Sequence, residues 1–185
     1  MIWIIVHIPA FIMSVTLLYD YNQWKLLTFY SGYCALIFFV VTLSLNPLKI
    51  IFPKLVLVTK LNRYRRQLGV ASFSYAFIHL SCFLIKRILK GFAEGLIYFF
   101  HPAIIPAFWI AFPILLVLAL TSNQYSIKKL SFPGWKKLHK TVYVAEVAIM
   151  LHMTLTGDFL IMLMFFVPLC TLQLLKYKKT TSSKF

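Results

Sequence analysis

Six apolar stretches of sixteen to nineteen residues, at 2–18, 29–46, 68–85, 103–121, 141–156 and 159–175, follow one another along this chain with short polar connections between them. Runs of that length match the hydrocarbon core of a bilayer, where a backbone N–H or carbonyl without a partner is costly. A helix satisfies its own backbone, so the chain answers that demand span by span. The expected fold is therefore all-α: an integral membrane bundle of six transmembrane helices. The fifth run is the weakest, because it holds both Glu146 and His152, yet Lys140 and Asp158 bound it. It is expected to borrow length from the approach Trp135–Lys140.

Composition points the same way, with 61% hydrophobic and 12% charged residues in a chain of 185, far from the balance of a soluble domain. Residues 1–175 are taken up by the spans, which leaves no room for a soluble catalytic domain. Residues 176–185 read as a basic cytoplasmic tail.

The cations orient the stack. Lys49, Lys54, Lys60, Arg63, Arg65 and Arg66 follow the second run, Lys128, Lys129, Lys136, Lys137 and Lys140 separate the fourth and fifth, and Lys176, Lys178, Lys179 and Lys184 follow the sixth. In a six-span arrangement all of these fall on one side, against Lys25, Lys86, Arg87 and Lys90 on the other. The positive-inside rule then makes both termini cytoplasmic, with Asp20, Glu94 and Asp158 outside. A net charge of +15 needs no nucleic-acid partner, since cations that flank apolar spans are accounted for by topology and anionic headgroups of the lipid bilayer. Residues 1–18 lack the basic start and small-residue cleavage site of a signal peptide and are kept as the first span.

Catalytic motifs are missing from the sequence. Cys34, Cys82 and Cys170 stand singly, without CxxC or CxxCH, and read as small packing residues. There is no phosphate-binding glycine loop, HExxH or nucleophile elbow. Any catalysis must come from a bound cofactor.

The histidines carry that chemistry. His79 lies thirteen residues beyond Arg66 and His152 twelve beyond Lys140, on runs that ascend in the same direction. At a rise of 1.5 Å per residue both sit roughly 18–20 Å from the cytoplasmic edge. Imidazole is a poor guest in hydrocarbon and a good iron ligand, so two at one depth fit the axial positions of a haem. The competing reading makes each a hydrogen-bonded core residue. His139 lies about 20 Å below His152 along the chain. It fits a second haem near the inner face or a polar interfacial role, and an ideal continuous helix would aim it well away from His152. Arg65 and Arg66 lie at its level, where they suit haem propionates or an anionic flavin. His7 and His101 lie near run ends and are expected to be structural. Glu146 is the one acid inside a run, a proton-relay candidate whose alternative is a neutral hydrogen-bonded carboxyl. Lys86 and Arg87 suit either propionates or interfacial anchoring, and Phe73, Tyr75, Trp135 and Tyr143 suit packing. A transporter or assembly factor that uses the histidines and Glu146 for a metal or solute is the rival class.

Three blocks resemble the MsrQ family, within the larger ferric-reductase-like transmembrane superfamily: Ser31-Gly32, Ala35-Leu36, Phe38, Thr42-Leu43 and Asn46-Pro47-Leu48; Arg65-Arg66-Gln67-Leu68-Gly69, Phe73, Tyr75-Ala76 and His79-Leu80; and Leu118-Ala119-Leu120-Thr121-Ser122, Trp135, Leu138-His139, Tyr143 and His152. The resemblance covers residues from about 29 to 155. It implies a multi-pass protein of the bacterial inner membrane that binds haem b, one or two groups, through His79, His152 and His139, with FMN or another flavin associated with some members. It also implies electron transfer to a periplasmic, MsrP-like molybdenum enzyme that repairs methionine sulfoxide, fed by a cytoplasmic flavin reductase or a membrane quinol. Ile37, Asn46 and His101-Pro102-Ala103 depart from the family pattern, so a ferric-reductase-like protein with another acceptor, such as ferric iron, stays open.

Overall fold

A computed structural model describes residues 2–89 and 91–182. The expectations placed on Lys90 and Lys184 lie outside the described residues, as does the side chain of Glu94. Every element among the described residues is helical: α1 (Ile2–Tyr19), a 3-10 turn (Tyr21–Gln23), α2 (Trp24–Ile51), α3 (Val56–Asn62), α4 (Arg65–Ile88), α5 (Phe92–Tyr98), a π-helical turn (Pro106–Ala111) that runs into α6 (Phe112–Leu120), α7 (Gln124–His139), α8 (Val142–Thr156) and α9 (Phe159–Ser182). The apolar runs therefore fold as helices, and the backbone rule that excludes other structure from hydrocarbon accounts for it.

Three of these helices, α2, α4 and α9, are long and apolar enough to cross a membrane, and the π turn with α6 joins the Gln124–Thr156 segment in a pair bent by 111°. The protein is a multi-pass membrane protein built on these helices. α2 and α4 outrun the apolar stretches that predicted them, because helix continues through Lys49 at one end and through Arg65 and Arg87 at the others. Long basic side chains let a helix continue past the hydrocarbon edge. α8 has only 15 residues, about 22 Å at 1.5 Å per residue. Gly157, at φ 95°, stops it in the left-handed conformation that glycine tolerates, and the Asp158 N–H reaches back to the Met153 carbonyl at 2.9 Å.

The stretch between the fourth and fifth runs forms a helix, α7, where a connection was expected. Asn123 caps it, its side chain accepting the Ser126 N–H at 2.7 Å, and Ser131 kinks it at φ 58°. It buries no residue. A basic helix without a buried face suits the bilayer surface better than its interior.

α2 packs most extensively on α4, with α1 against α4, and α9 against α2 and α8. Two hydrogen bonds lock this group: the Ser72 hydroxyl donates to the Ala35 carbonyl at 3.0 Å, part-buried, and the buried Tyr75 hydroxyl to the Val6 carbonyl at 3.0 Å. Tyr75 is 1% exposed and stacks on Phe38. At the α1–α2 turn, Asp20 accepts from the Asn22 N–H and the Gln23 amide, which hold its carboxyl below the usual range.

Candidate functional site

α4 and α8 do not pack closely on each other, and the space that separates them is a cavity of about 580 Å³. That volume suits a small organic ligand or cofactor. The wall is apolar along most of its depth, with Leu36, Phe39, Ala76, Phe112 and Leu115 among its residues. His79 enters from α4 and His152 from α8.

Both imidazoles are fixed by the backbone. Nδ1 of His79 lies 2.9 Å from the Thr28 carbonyl, and Nδ1 of His152 lies 2.6 Å from the Ala103 carbonyl. A carbonyl oxygen only accepts, so each Nδ1 carries a proton, and in the neutral ring Nε2 keeps its lone pair. Metal-bound histidines use this arrangement, in which an outer acceptor sets the tautomer and the ring angle. His79 and His152 lie within electrostatic reach of each other.

Local sequence explains both anchors. Gly32 sits one turn from Thr28, and a Cβ there would meet Nδ1 of His79 at 2.9 Å and Cε1 at 3.1 Å, so a residue without a side chain lets the ring reach the α2 backbone. On the other wall, Pro106 and Pro113 bracket the π turn, each without an N–H to give. The irregular turn that results supplies the cavity wall at Ala107, Phe108 and Ala111, and the bend before it presents the Ala103 carbonyl to His152.

One end of the cavity is polar, with Lys25, Lys86, Thr156 and Asp158. The ammonium groups of Lys25 and Lys86 lie 5.6 and 5.2 Å from the Trp24 ring. Arg87 is not part of this wall: its guanidinium stacks on Tyr98 at 3.2 Å.

His139 lies apart from this cavity. It closes α7, its ring tilted against that of Trp135 with centroids 4.0 Å apart, and meets the Thr121 hydroxyl through Nε2 at 3.2 Å, while the Trp135 indole donates to the Thr121 carbonyl at 2.9 Å. The chain turns at Lys140 and Thr141 before α8 begins, so His139 and His152 belong to separate helices and the angle of a single continuous helix does not apply. Arg65 and Arg66 lie within electrostatic reach of His139 and outside the two-histidine cavity. His7 pairs with the Trp3 carbonyl at 2.9 Å, and His101 accepts the Ala103 N–H at 3.3 Å and stacks on Tyr98; neither lines the cavity.

Glu146 is 4% exposed, and the Gln173 amide on α9 donates to both of its oxygens, at 2.9 and 3.0 Å. Sequence reasoning passed over Gln173, whose only signal is one amide in an apolar run. It also passed over Thr28 and Ala103, because a backbone acceptor leaves no mark on residue type.

The family of ferric reductase like transmembrane components matches residues 27–150. The chain is 34% identical over 121 residues to the protein-methionine-sulfoxide reductase heme-binding subunit MsrQ of Brucella ovis, a match covering 65% of this chain and 52% of that protein. It is 28% identical over 129 residues to the magnetosome protein MamZ of Magnetospirillum gryphiswaldense, covering 70% of this chain and 19% of that protein. The chain thus spans about half the length of these MsrQ relatives and about a fifth of MamZ. No solved structure matches it.

Proposed function

Since this chain belongs to the family of ferric reductase like transmembrane components, we propose that it is a haem b-binding electron-transfer subunit that crosses the bacterial inner membrane six times, with both termini in the cytoplasm. The observation that carries the reading is the pair of cavity histidines whose Nδ1–H groups are both spent on backbone carbonyls, leaving two Nε2 lone pairs in one apolar space. A haem fits that donor set: neutral imidazoles for the iron, apolar and aromatic walls for the macrocycle, and Lys25 and Lys86 at the polar end for the carboxylates. When bound, haem supplies a one-electron couple.

The chain's own residues do the rest. Thr28 and Ala103 orient the two rings, Gly32 admits His79, and Leu36, Phe39 and Leu115 keep water from the interior. The MsrQ relatives are named heme-binding subunits of a methionine sulfoxide reductase, which supports a redox partner for this chain; we place that acceptor, of the MsrP type, on the face opposite the cation-rich one. The donor is a cytoplasmic flavin reductase or a membrane quinol. His139, with Arg65 and Arg66, forms a separate polar station near the donor side; it lies outside the cavity, so we assign the first haem to His79 and His152 alone.

Pyridine-haemochrome quantitation of the purified protein tests the assignment. One haem b per chain, lost in both His79→Ala and His152→Ala while His139→Ala retains it, is the expected result. A protein that stays colourless after reconstitution with haem would return the cavity to metal or solute binding.

A further inference from the structure

The two histidine anchors differ in kind. Thr28 belongs to α2, where regular helix holds its carbonyl in place. Ala103 lies in a turn outside any helix: Pro106, three residues on, has no N–H to return to its carbonyl, and the Phe108 N–H goes to Ile104 at 2.9 Å. Ala103 is nonetheless only 7% exposed, and its carbonyl meets the His152 ring at 2.6 Å. Something other than a helix has to fix that carbonyl.

His101 does so from an exposed position. Its ring Nδ1 accepts the Ala103 N–H at 3.3 Å, and its main-chain carbonyl accepts the Ile104 N–H at 2.8 Å, the N–H of the same peptide plane that turns the Ala103 carbonyl toward His152. One residue thus holds both peptide planes that meet at the Ala103 Cα. Nδ1 is bonded to Cγ, as Oδ1 is in asparagine, so the histidine reaches its own backbone two residues on in the manner of an Asx turn. The ring is held in turn. It lies at 8° to the Tyr98 ring with centroids 5.0 Å apart, and the Arg87 guanidinium sits 3.2 Å from the Tyr98 centroid. Arg87 is in the last turn of α4, the helix that carries His79, and a Cβ at Gly95 would come within 3.3 Å of the Arg87 Cβ, so α5 closes on it where the side chain is missing. The Trp109 indole, donating to the Phe99 carbonyl at 3.1 Å, ties the π turn back to the same segment. A continuous series of contacts therefore braces the α4 wall to the α8 wall: Arg87 to Tyr98, Tyr98 to His101, His101 to Ala103 and Ala103 to His152.

We propose that His101 is a positioning residue for His152: its Nδ1 holds the Ala103 N–H, and with it the carbonyl that aims the His152 ring into the cavity. The role takes its purpose from the haem reading, whereas the hydrogen bonds stand without it. An outer acceptor sets the angle and the basicity of a metal-bound imidazole, so a residue that fixes the acceptor sets both at one remove. His152 is adjusted from an exposed turn in this way, and His79, anchored on α2, is not.

The test compares His101→Phe, which keeps a ring against Tyr98 without an acceptor, with His101→Asn, which keeps an acceptor at the same place without the ring. The full-length protein, isotope-labelled at alanine and histidine nitrogen, is measured by magnetic resonance in micelles before and after haem loading. Before loading, His101→Phe is expected to speed amide exchange at Ala103 about tenfold, the loss of one hydrogen bond, and to shift the Nδ1 signal of His152 while that of His79 stays. After loading, it is expected to release haem to apomyoglobin on the order of tenfold faster, with altered low-spin g-values. His101→Asn is expected to match wild type in each measurement. A His101→Phe protein that matches wild type before or after loading, a His101→Asn protein that behaves as His101→Phe does, or a shift of His79 as large as that of His152, which is general loosening, overturns the proposal. If no haem is taken up and the differences before loading still appear, the haem assignment falls and the positioning stands; haem bound with no such differences gives the reverse.

Discussion

The histidines are the part of the site that a single sequence displays, since a polar ring at a countable depth in an apolar run is visible without any fold. What holds them was not visible. Thr28 and Ala103 contribute only carbonyls, and Gly32 contributes an absence of side chain, so their roles exist only once α2, α4 and α8 are placed. Gly32→Ala tests this directly: the new methyl group must push the His79 ring off the Thr28 carbonyl, and haem retention should fall roughly 10–100-fold, as outer-shell changes at metal sites do. Haem transfer to apomyoglobin measures it, and an unchanged transfer rate would show that the ring position is not critical. Glu146 and Gln173 make a second residue-scale prediction. Gln173→Leu leaves a buried carboxyl without its partner and should cost about 1–3 kcal/mol of stability, whereas Glu146→Leu/Gln173→Leu should recover most of that loss. Unfolding in mixed micelles would read both, and equal destabilisation by the single and double changes would mean that the pair is not an energetic unit.

Helix identity was legible because hydrocarbon permits nothing else, but helix ends were not. The apolar runs at 29–46 and 68–85 understate α2 and α4, whose basic ends continue the helix beyond the lipid core. α7 escaped notice for the opposite reason: its lysines spoil any hydropathy signal, and a surface helix needs none. The π turn was equally hidden, although Pro106 and Pro113 marked the place where regular α-helix would fail. On a cysteine-free background, single cysteines at Tyr125, Lys128 and Phe132 of α7 should react with a membrane-impermeant maleimide applied from the cytoplasmic side. One at Val147 of α8 should stay unlabelled. Protection along the whole of α7 would place that helix inside the bilayer.

Taken whole, the molecule is an apolar bundle with a cavity between α4 and α8, a mixed-charge mouth at one end, and basic helix ends, with Arg65, Lys136 and Lys179, at the other. That asymmetry gives it a direction. Reporter fusions at the two termini should both read as cytoplasmic, and a periplasmic reading at either would break the six-span arrangement that puts Arg65, Lys136 and Lys176 on one side. The central claim, that His79 and His152 hold one iron between them, is tested most directly by electron paramagnetic resonance of the purified ferric protein. Two imidazole ligands require a low-spin ferric signal, replaced by a high-spin signal, or by loss of haem, in His79→Ala and in His152→Ala. A wild-type protein whose haem is high-spin, or whose low-spin signal survives either substitution, would contradict the assignment.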